Sequence, residues 1–274
     1  MLEYLVLASG IFFVLSLFPW RGRGRAAILG WAAMVLYLIA EIPYYLSLNN
    51  FLYPTLAILA LPFLLVTARR LLRDDPAILA LSRGAALAFL IYAPFAYLPS
   101  LGNFLIGVVT GQIVSLLSAL GYPATVLDWN LIGRNGFRIE IILACTGIQS
   151  MAIMLGVAAA VPTTTRQKLL AFLLVVPTIY LLNLARNVFV IIAYTGQWFP
   201  YLPAIASNGE YGYESFFWAH NVLAEGGALI ALVAIAYGLF IIIPDLARWA
   251  VDLYGIYTSD LAGLYRGARA RIHT

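Results

Sequence analysis

The chain of 274 residues is 63% hydrophobic and only 10% charged, and its mean hydropathy is +0.93. Soluble domains carry about 25% charged residues and about 50% apolar ones, so this composition excludes a soluble globular protein and indicates a polytopic membrane protein. The formal net charge of +4 does not indicate a nucleic-acid partner, because the basic residues occur in short clusters between apolar segments. With two histidines, one cysteine and no cluster of ligand-forming residues, the sequence predicts no metal site and no cofactor.

A transmembrane helix needs about 20 mostly apolar residues. Seven segments of the chain meet this requirement, so the predicted fold is all-α, a polytopic membrane helix bundle of about seven spans. The segments are residues 2–20, 26–48, 52–68, 78–98, 145–161, 168–194 and 215–243. No internal repeat or linker separates them. We therefore predict a single membrane-embedded domain over residues 1–274, in which residues 244–274 form a basic, amphipathic tail in the cytoplasm.

The basic residues predict the orientation in the cell membrane, since short loops rich in Lys and Arg stay in the cytoplasm. Thirteen of the 16 basic residues fall on one side if the seven spans alternate from an N-terminus outside the cell. These thirteen are Arg21, Arg23, Arg25, Arg69, Arg70, Arg73, Arg83, Arg166, Lys168, Arg248, Arg266, Arg269 and Arg271. The C-terminus is accordingly expected in the cytoplasm.

Residues 99–144 interrupt the pattern of spans. Residues 101–120 are typical of a helix, but glycines and polar side chains give it a polar face, and a further span here would place Arg166 and Lys168 outside. We therefore predict an interfacial helix on the outer leaflet. Farther along, Asn135-Gly136 between alternating apolar and polar residues predicts a short outer β-hairpin.

Three side chains that are unusual in membrane helices are predicted to lie at one face of the membrane. At about 1.5 Å of rise per residue, Cys145 lies about 30 Å before the cytoplasmic Arg166, which places it at the outer boundary. Arg186 lies about 27 Å from the cytoplasmic end of its helix, and His220 lies about 37 Å before the cytoplasmic end of the next. We therefore expect all three at the extracellular face.

Together these residue types suit acyl transfer through a thioester. A helix N-terminus lowers the pKa of a thiol, so Cys145 is the candidate nucleophile. An imidazole can take the thiol proton and then protonate a leaving amine, which is the candidate role of His220. A guanidinium stays charged, so Arg186 can stabilise a thiolate or an oxyanion.

Each of the three residues also has a structural alternative. A lone cysteine often fills space as a small apolar side chain, and an interfacial histidine is often a satisfied polar residue. Arg186 could form a structural ion pair with Glu225 or Glu214. The alternative function is a transporter or receptor in which Arg186, Glu41 and Glu225 line a polar pathway, and this function needs no cysteine.

Polar residues close to the three candidates are expected to support them. Asn221 and Glu225 follow His220, where a carboxylate could orient the imidazole. Four residues close to the other two candidates offer backbone or amide groups. These four are Gly147, Gln149, Asn183 and Asn187.

Three short motifs resemble those of the exosortase/archaeosortase family. In chain order they are Ala144-Cys145-Thr146-Gly147-Ile148, Leu184-Ala185-Arg186-Asn187 and Ala219-His220-Asn221. The resemblance covers roughly residues 85–243 and implies a membrane cysteine transpeptidase. Members of this family cleave surface proteins at a C-terminal signal made of a Pro-Gly-Phe-type motif, a membrane helix and a basic tail. In archaea the new C-terminus is joined to a membrane lipid.

The resemblance also implies roles for individual residues. It makes Cys145 the nucleophile, Arg186 the stabiliser of the oxyanion or thiolate, and His220 the acid and base. Because the third residue is an arginine in some archaeal members, Arg134 and Arg138 of the predicted hairpin remain alternatives for that role.

The predicted orientation can be tested by labelling single introduced cysteines in a Cys145→Ala background. We expect position 208 to react with an impermeant maleimide in intact cells. Positions 23, 72 and 167 should react only after the membrane is opened. Labelling of position 167 from outside would contradict the arrangement and separate the three candidate residues from a common face.

Overall fold

The computed structural model describes residues 3–48 and 50–272, and most of these residues are helical. The helices are α1 (Glu3–Ser16), α2 (Arg23–Ala40), α3 (Ile42–Ser47), α4 (Leu52–Leu71), α5 (Pro76–Tyr97), α6 (Pro99–Ala119), α7 (Ile148–Ala158), α8 (Thr165–Thr195), α9 (Pro203–Ala206), α10 (Tyr213–Phe216), α11 (Glu225–Ile242) and α12 (Pro244–Ile272). The strands are β1 (Thr125–Asp128), β2 (Leu131–Arg134) and β3 (Phe137–Glu140). A 3₁₀ turn (Leu143–Thr146) precedes α7, and a π-helical segment (Phe217–Ala224) joins α10 to α11.

Six of the described helical segments are long and apolar enough to cross a membrane, so the predicted class of multi-pass helical bundle is confirmed. They are Arg23–Ser47, Leu52–Leu71, Pro76–Tyr97, Pro99–Ala119, Thr165–Thr195 and Tyr213–Ile242. This set differs from the seven predicted spans. Helix α6 is one of the six although it was not predicted as a span. Helices α1 and α7 were predicted as spans but have only 14 and 11 residues. At about 1.5 Å per residue these two measure about 21 and 16 Å, less than the roughly 30 Å hydrocarbon core.

Helix α6 packs against the sheet and α8, with which it shares an apolar cluster. It follows the end of α5, which lies beside the start of α7, where Gln149 Nε2 donates to the Tyr92 hydroxyl (3.2 Å). Beyond the other end of α6, the Tyr122 ring packs on the Arg134 guanidinium, which is hydrogen-bonded to Thr195 at the end of α8. Both ends of α6 therefore lie toward the end of the bundle where α7 begins and α8 ends. That α6 rests on the outer leaflet remains a prediction.

Two glycines bring α5 and α7 into backbone contact. A Cβ atom at Gly156 would lie 2.4 Å from the Gly84 carbonyl oxygen, and one at Gly84 would lie 3.1 Å from the Gly156 carbonyl oxygen. A side chain at Gly156 would overlap the Gly84 carbonyl, so glycine at this position permits the close approach of the two helices.

Helix α8 has 31 residues and begins with a capping box. The Thr164 hydroxyl accepts from the Gln167 amide (3.3 Å), and the Gln167 side chain accepts from the Thr164 amide (2.9 Å). Farther along, α7, α8 and α11 share one apolar core that includes Met151, Val175 and Leu239. The second half of α8 therefore passes the start of both neighbouring helices, where the candidate residues lie.

The predicted hairpin is confirmed and is part of a larger sheet. Strands β2 and β3 are antiparallel, and Asn135 and Gly136 connect them with φ angles of 50° and 83°. Such positive values at both positions are what a two-residue hairpin turn requires. Strand β1 adds a third antiparallel strand on the other side of β2. Ile132 of β2 is fully buried in an apolar cluster with residues of α6 and α8, so the sheet is attached to the bundle.

Helix α12 forms most of the predicted amphipathic tail, and it packs on the bundle. Arg70 of α4 donates two hydrogen bonds, of 2.8 and 2.6 Å, to Asp260, and this guanidinium lowers the pKa of the Asp260 carboxyl. The Trp249 indole donates to the Ala77 carbonyl (2.9 Å), and the Tyr257 hydroxyl bonds to that of Thr67 (2.7 Å). Residues 273–274 of the predicted tail lie outside the described residues. Its cytoplasmic location remains a prediction.

Candidate active site

Cys145 lies in the 3₁₀ turn, whose backbone leads directly into α7. Its amide donates to the Ile142 carbonyl (2.8 Å), and Gly147 follows with a φ angle of 79°. This left-handed conformation favours glycine and lets α7 begin at Ile148. Cys145 thus comes just before a helix N-terminus, as the sequence predicts.

Two effects act in opposite directions on the Cys145 thiol. Burial raises its pKa, because a thiolate loses hydration in an apolar environment, and this effect is the largest. The hydrogen bond from the backbone and the charge of Arg186 lower the pKa. The net direction is upward.

Two amides of α8 hold the turn that carries Cys145. Asn183 Nδ2 and Asn187 Nδ2 both donate to the Cys145 carbonyl oxygen, at 2.6 and 2.7 Å. The two asparagines are four residues apart and so lie on one face of the helix. Arg186 follows Asn183 by three residues, so these two side chains are neighbours on the helix surface, and both line the same cavity as Gly147.

Arg186 and His220 are in direct contact. Arg186 Nη2 lies 3.1 Å from His220 Nε2, and both residues are half-buried. A guanidinium carries only donors, so Nε2 must be the acceptor of this hydrogen bond. The contact joins α8 to the π-helical segment across 34 residues of chain.

The other side of the imidazole is also held. Nδ1 lies 2.8 Å from Asn221 Oδ1, and the ring stacks on Phe216 with 4.8 Å between centroids and 13° between planes. Because Nε2 accepts from Arg186, the ring is neutral and its proton is on Nδ1, which donates to Asn221. His220 therefore has the protonation state of a general base.

Two of the predicted supporting residues have other partners. Glu225 does not orient the imidazole but accepts from Asn50 Nδ2 (3.1 Å), and the amide of Asn221 takes the orienting position instead. The exposed Gln149 turns toward Tyr92 on α5 and is not an amide donor to Cys145. Asn50 was missed in the sequence, since it is 175 residues from Glu225 and no local pattern connects them.

The two hairpin arginines lie on opposite faces of the sheet and have different contacts. Arg134 bonds to the Thr195 hydroxyl and lies 5.1 Å from the centre of the Tyr122 ring. Arg138 is exposed and is paired across the sheet with Gly133, so it lies on the opposite face from Arg134. In the described structure, the residue that meets Arg186 is His220.

A cavity of about 370 Å³ adjoins the guanidinium. Gly147, Asn183 and Arg186 line it near the Cys145 turn, and small residues of α11, among them Gly227 and Ala231, line the opposite wall. Its exposed wall residues, including Leu182, lie on the apolar surface of the bundle. The cavity therefore leads from the polar cluster toward the membrane.

Comparison with known proteins identifies the family. Residues 3–201 match the family described as Transmembrane exosortase (Exosortase_EpsH). The chain belongs to this family. The match confirms the resemblance to this family; it includes the first two motifs, with Cys145 and Arg186, and ends before His220.

Two curated relatives extend over most of the chain. Archaeosortase A of Haloferax volcanii is 28% identical over 261 residues, which cover 86% of each protein. Archaeosortase A of Natronomonas pharaonis is 30% identical over 224 residues, which cover 75% of this chain and 71% of that protein. No solved structure matches the chain.

The two amide hydrogen bonds can be tested through the thiol itself, because Cys145 is the only cysteine. In the double variant Asn183→Leu, Asn187→Leu the carbonyl loses both donors, a penalty of about 1–3 kcal/mol that favours opening of the turn. We expect alkylation of Cys145 by iodoacetamide to become about tenfold faster, and each single variant to change less.

Asn103→Leu is the matched control, since it removes an exposed asparagine from α6. An alkylation rate in the double variant equal to that of the wild type would show that the turn is held without the two amides.

Proposed function

We propose that this protein is a membrane cysteine transpeptidase that processes surface proteins. The observation that carries the proposal is the 3.1 Å contact between Arg186 and His220, together with the two amides of the same helix that hold the Cys145 turn. Membership in the exosortase family and the two archaeosortase A relatives support it.

In the proposed reaction, His220 Nε2 accepts the thiol proton and the Cys145 sulfur attacks the carbonyl carbon of a substrate peptide bond. Arg186 stabilises the oxyanion of the tetrahedral intermediate. The imidazolium then protonates the leaving amine, the carbon–nitrogen bond breaks, and a thioester remains on Cys145. An acceptor amine attacks the thioester and transfers a proton to His220, the carbon–sulfur bond breaks, and the imidazolium returns the proton to the Cys145 sulfur.

In the proposed mechanism, the hydrogen bond from Arg186 to His220 belongs to the resting enzyme, before substrate binds. Arg186 occupies the lone pair of Nε2, so it must turn toward the developing negative charge before the imidazole can accept a proton. A substrate carbonyl would draw the guanidinium away and free the base in the same movement. This coupling keeps the thiol protonated until a substrate is bound.

The proposed substrates are surface proteins with a C-terminal signal of three parts: a Pro-Gly-Phe-type motif, a membrane helix and a basic tail. The proposed acceptor is the amine of a membrane lipid, which leaves the processed protein anchored. With the N-terminus outside and the C-terminus in the cytoplasm, the reaction takes place at the extracellular face.

The nucleophile is tested by substitution of Cys145 and co-expression with a surface protein that carries the three-part signal. We expect Cys145→Ala to abolish processing, because the attacking atom is removed. Cys145→Ser should lose nearly all activity, since a hydroxyl is far harder to deprotonate than a thiol. Processing is followed by mass spectrometry of the substrate C-terminus, and the insertion of each variant is checked by its amount in the membrane.

Processing at the wild-type rate in Cys145→Ala would contradict the cysteine mechanism. It would favour the transporter or receptor function in which Arg186 lines a polar pathway.

We further propose that the cavity beside Arg186 receives the apolar membrane segment of the substrate. Small residues on its α11 wall allow a second helix to approach closely. Ala231→Leu fills part of this space and should raise the substrate concentration needed for half-maximal processing about tenfold, without affecting insertion. This can be measured with purified protein in lipid nanodiscs.

Ala234→Leu makes the same change on the same helix at an exposed position that does not line the cavity, and it should have little effect. Equal effects of the two substitutions would show that the cavity does not bind the substrate.

A further inference from the structure

The side chains of His220 and Asn221 are hydrogen-bonded although the two residues are neighbours in a helix. In an α-helix, adjacent side chains point about 100° apart and do not face each other. Here the backbone from Phe217 to Ala224 is π-helical, with hydrogen bonds between residues i and i+5. This wider helix turns less per residue, so the neighbouring imidazole and amide point in more similar directions.

The Asn221 amide has only one orientation that satisfies its other contact. Its nitrogen Nδ2 lies 3.4 Å from the Leu48 carbonyl oxygen, in the connection between α3 and α4. A backbone carbonyl can only accept, so the amide nitrogen must face Leu48 and the amide oxygen must face His220. Asn221 therefore donates to the Leu48 carbonyl and accepts from the imidazole of His220.

The connection that supplies this carbonyl is itself attached to the helix of His220. The Tyr213 hydroxyl also donates to the Leu48 carbonyl (3.4 Å), and Asn50 Nδ2 donates to Glu225 (3.1 Å). Both of these partners belong to the continuous helical stretch Tyr213–Ile242 that carries His220. The carbonyl that accepts from Asn221 is therefore hydrogen-bonded to the same helical stretch that carries His220.

We propose that Asn221 is a positioning residue that holds His220 in the tautomer with the proton on Nδ1. In the resting state Arg186 requires the same tautomer, because it donates to Nε2. Once Arg186 turns away, the amide oxygen of Asn221 alone keeps the proton on Nδ1 and leaves Nε2 free to accept. In the other tautomer, the lone pair of Nδ1 would face the lone pairs of Oδ1.

The tautomer is a property of the structure and does not depend on the proposed function, whereas its value for catalysis rests on that function. The protein has two histidines, so His273→Ala leaves His220 as the only one. In ¹⁵N-histidine-labelled protein in bilayers, solid-state NMR distinguishes protonated from unprotonated ring nitrogens. One spectrum therefore reports the tautomer of His220 directly.

The decisive comparison uses an Arg186→Met background, in which the other determinant is removed. With Asn221 present, we expect at least about 90% of His220 to remain protonated on Nδ1 at a pH where the ring is neutral. Asn221→Ala in the same background should give a mixture with substantial Nε2 protonation. Asn221→Asp, which retains an acceptor oxygen, should restore the Nδ1 tautomer.

Asn103→Ala is the matched control, because it removes an exposed asparagine amide of α6 that is not among the hydrogen-bond partners of His220 or Asn221. It should leave the spectrum unchanged. A mixture of tautomers while Asn221 is present, or a pure Nδ1 tautomer in Asn221→Ala, would overturn the proposal.

A second measurement uses protein with Arg186 intact. Asn221→Ala should lower kcat about tenfold with little change in KM, because the site binds substrate but less often has the base in the required form. An unchanged kcat would overturn the catalytic part of the proposal. Loss of activity in Cys145→Ala is independent of this result, so failure of the positioning role and failure of the transpeptidase function are distinguishable.

Discussion

The candidate site depends on the two hydrogen bonds by which Asn183 and Asn187 satisfy the Cys145 carbonyl. A backbone carbonyl outside regular secondary structure has no partner within its own helix, and leaving it unpaired costs about 1–3 kcal/mol, so this turn needs donors from a neighbouring helix. Because Asn183 is three residues from Arg186 and adjacent to it on the surface of α8, the amides that satisfy the turn also hold it beside the part of α8 that carries the guanidinium.

The charges of Arg186 and Arg70 are used in different ways. Arg70 is paired with the carboxylates of Asp75 and Asp260, which attach α12 to the bundle. In the part of the chain that the structure describes, Arg186 has no carboxylate within ion-pairing distance and contacts a neutral imidazole instead. A guanidinium without an anionic partner is available to a negative charge that develops on a substrate, which suits the proposed oxyanion role.

The π-helical segment and the connection between α3 and α4 form the second support of the site. Leu48 and Asn50 contribute one carbonyl and one amide, and both are directed at the helix that carries His220. Residues from the first 50 positions of the chain therefore influence an imidazole 170 positions later.

The sequence by itself determined the membrane class, the hairpin turn at Asn135-Gly136 and the three motifs of the family, because hydropathy, turn geometry and motif spacing are local properties. Helix rise also predicted that Arg186 and His220 lie at similar depth. Only the tertiary structure decided that Asn221 rather than Glu225 holds the imidazole, that Gln149 faces α5, and that α12 packs on α4. Hydrogen-bond partners depend on how each helix is rotated about its axis, because a small rotation moves a donor out of reach of its acceptor. That rotation results from packing between segments far apart in the chain, such as Gly84 against Gly156.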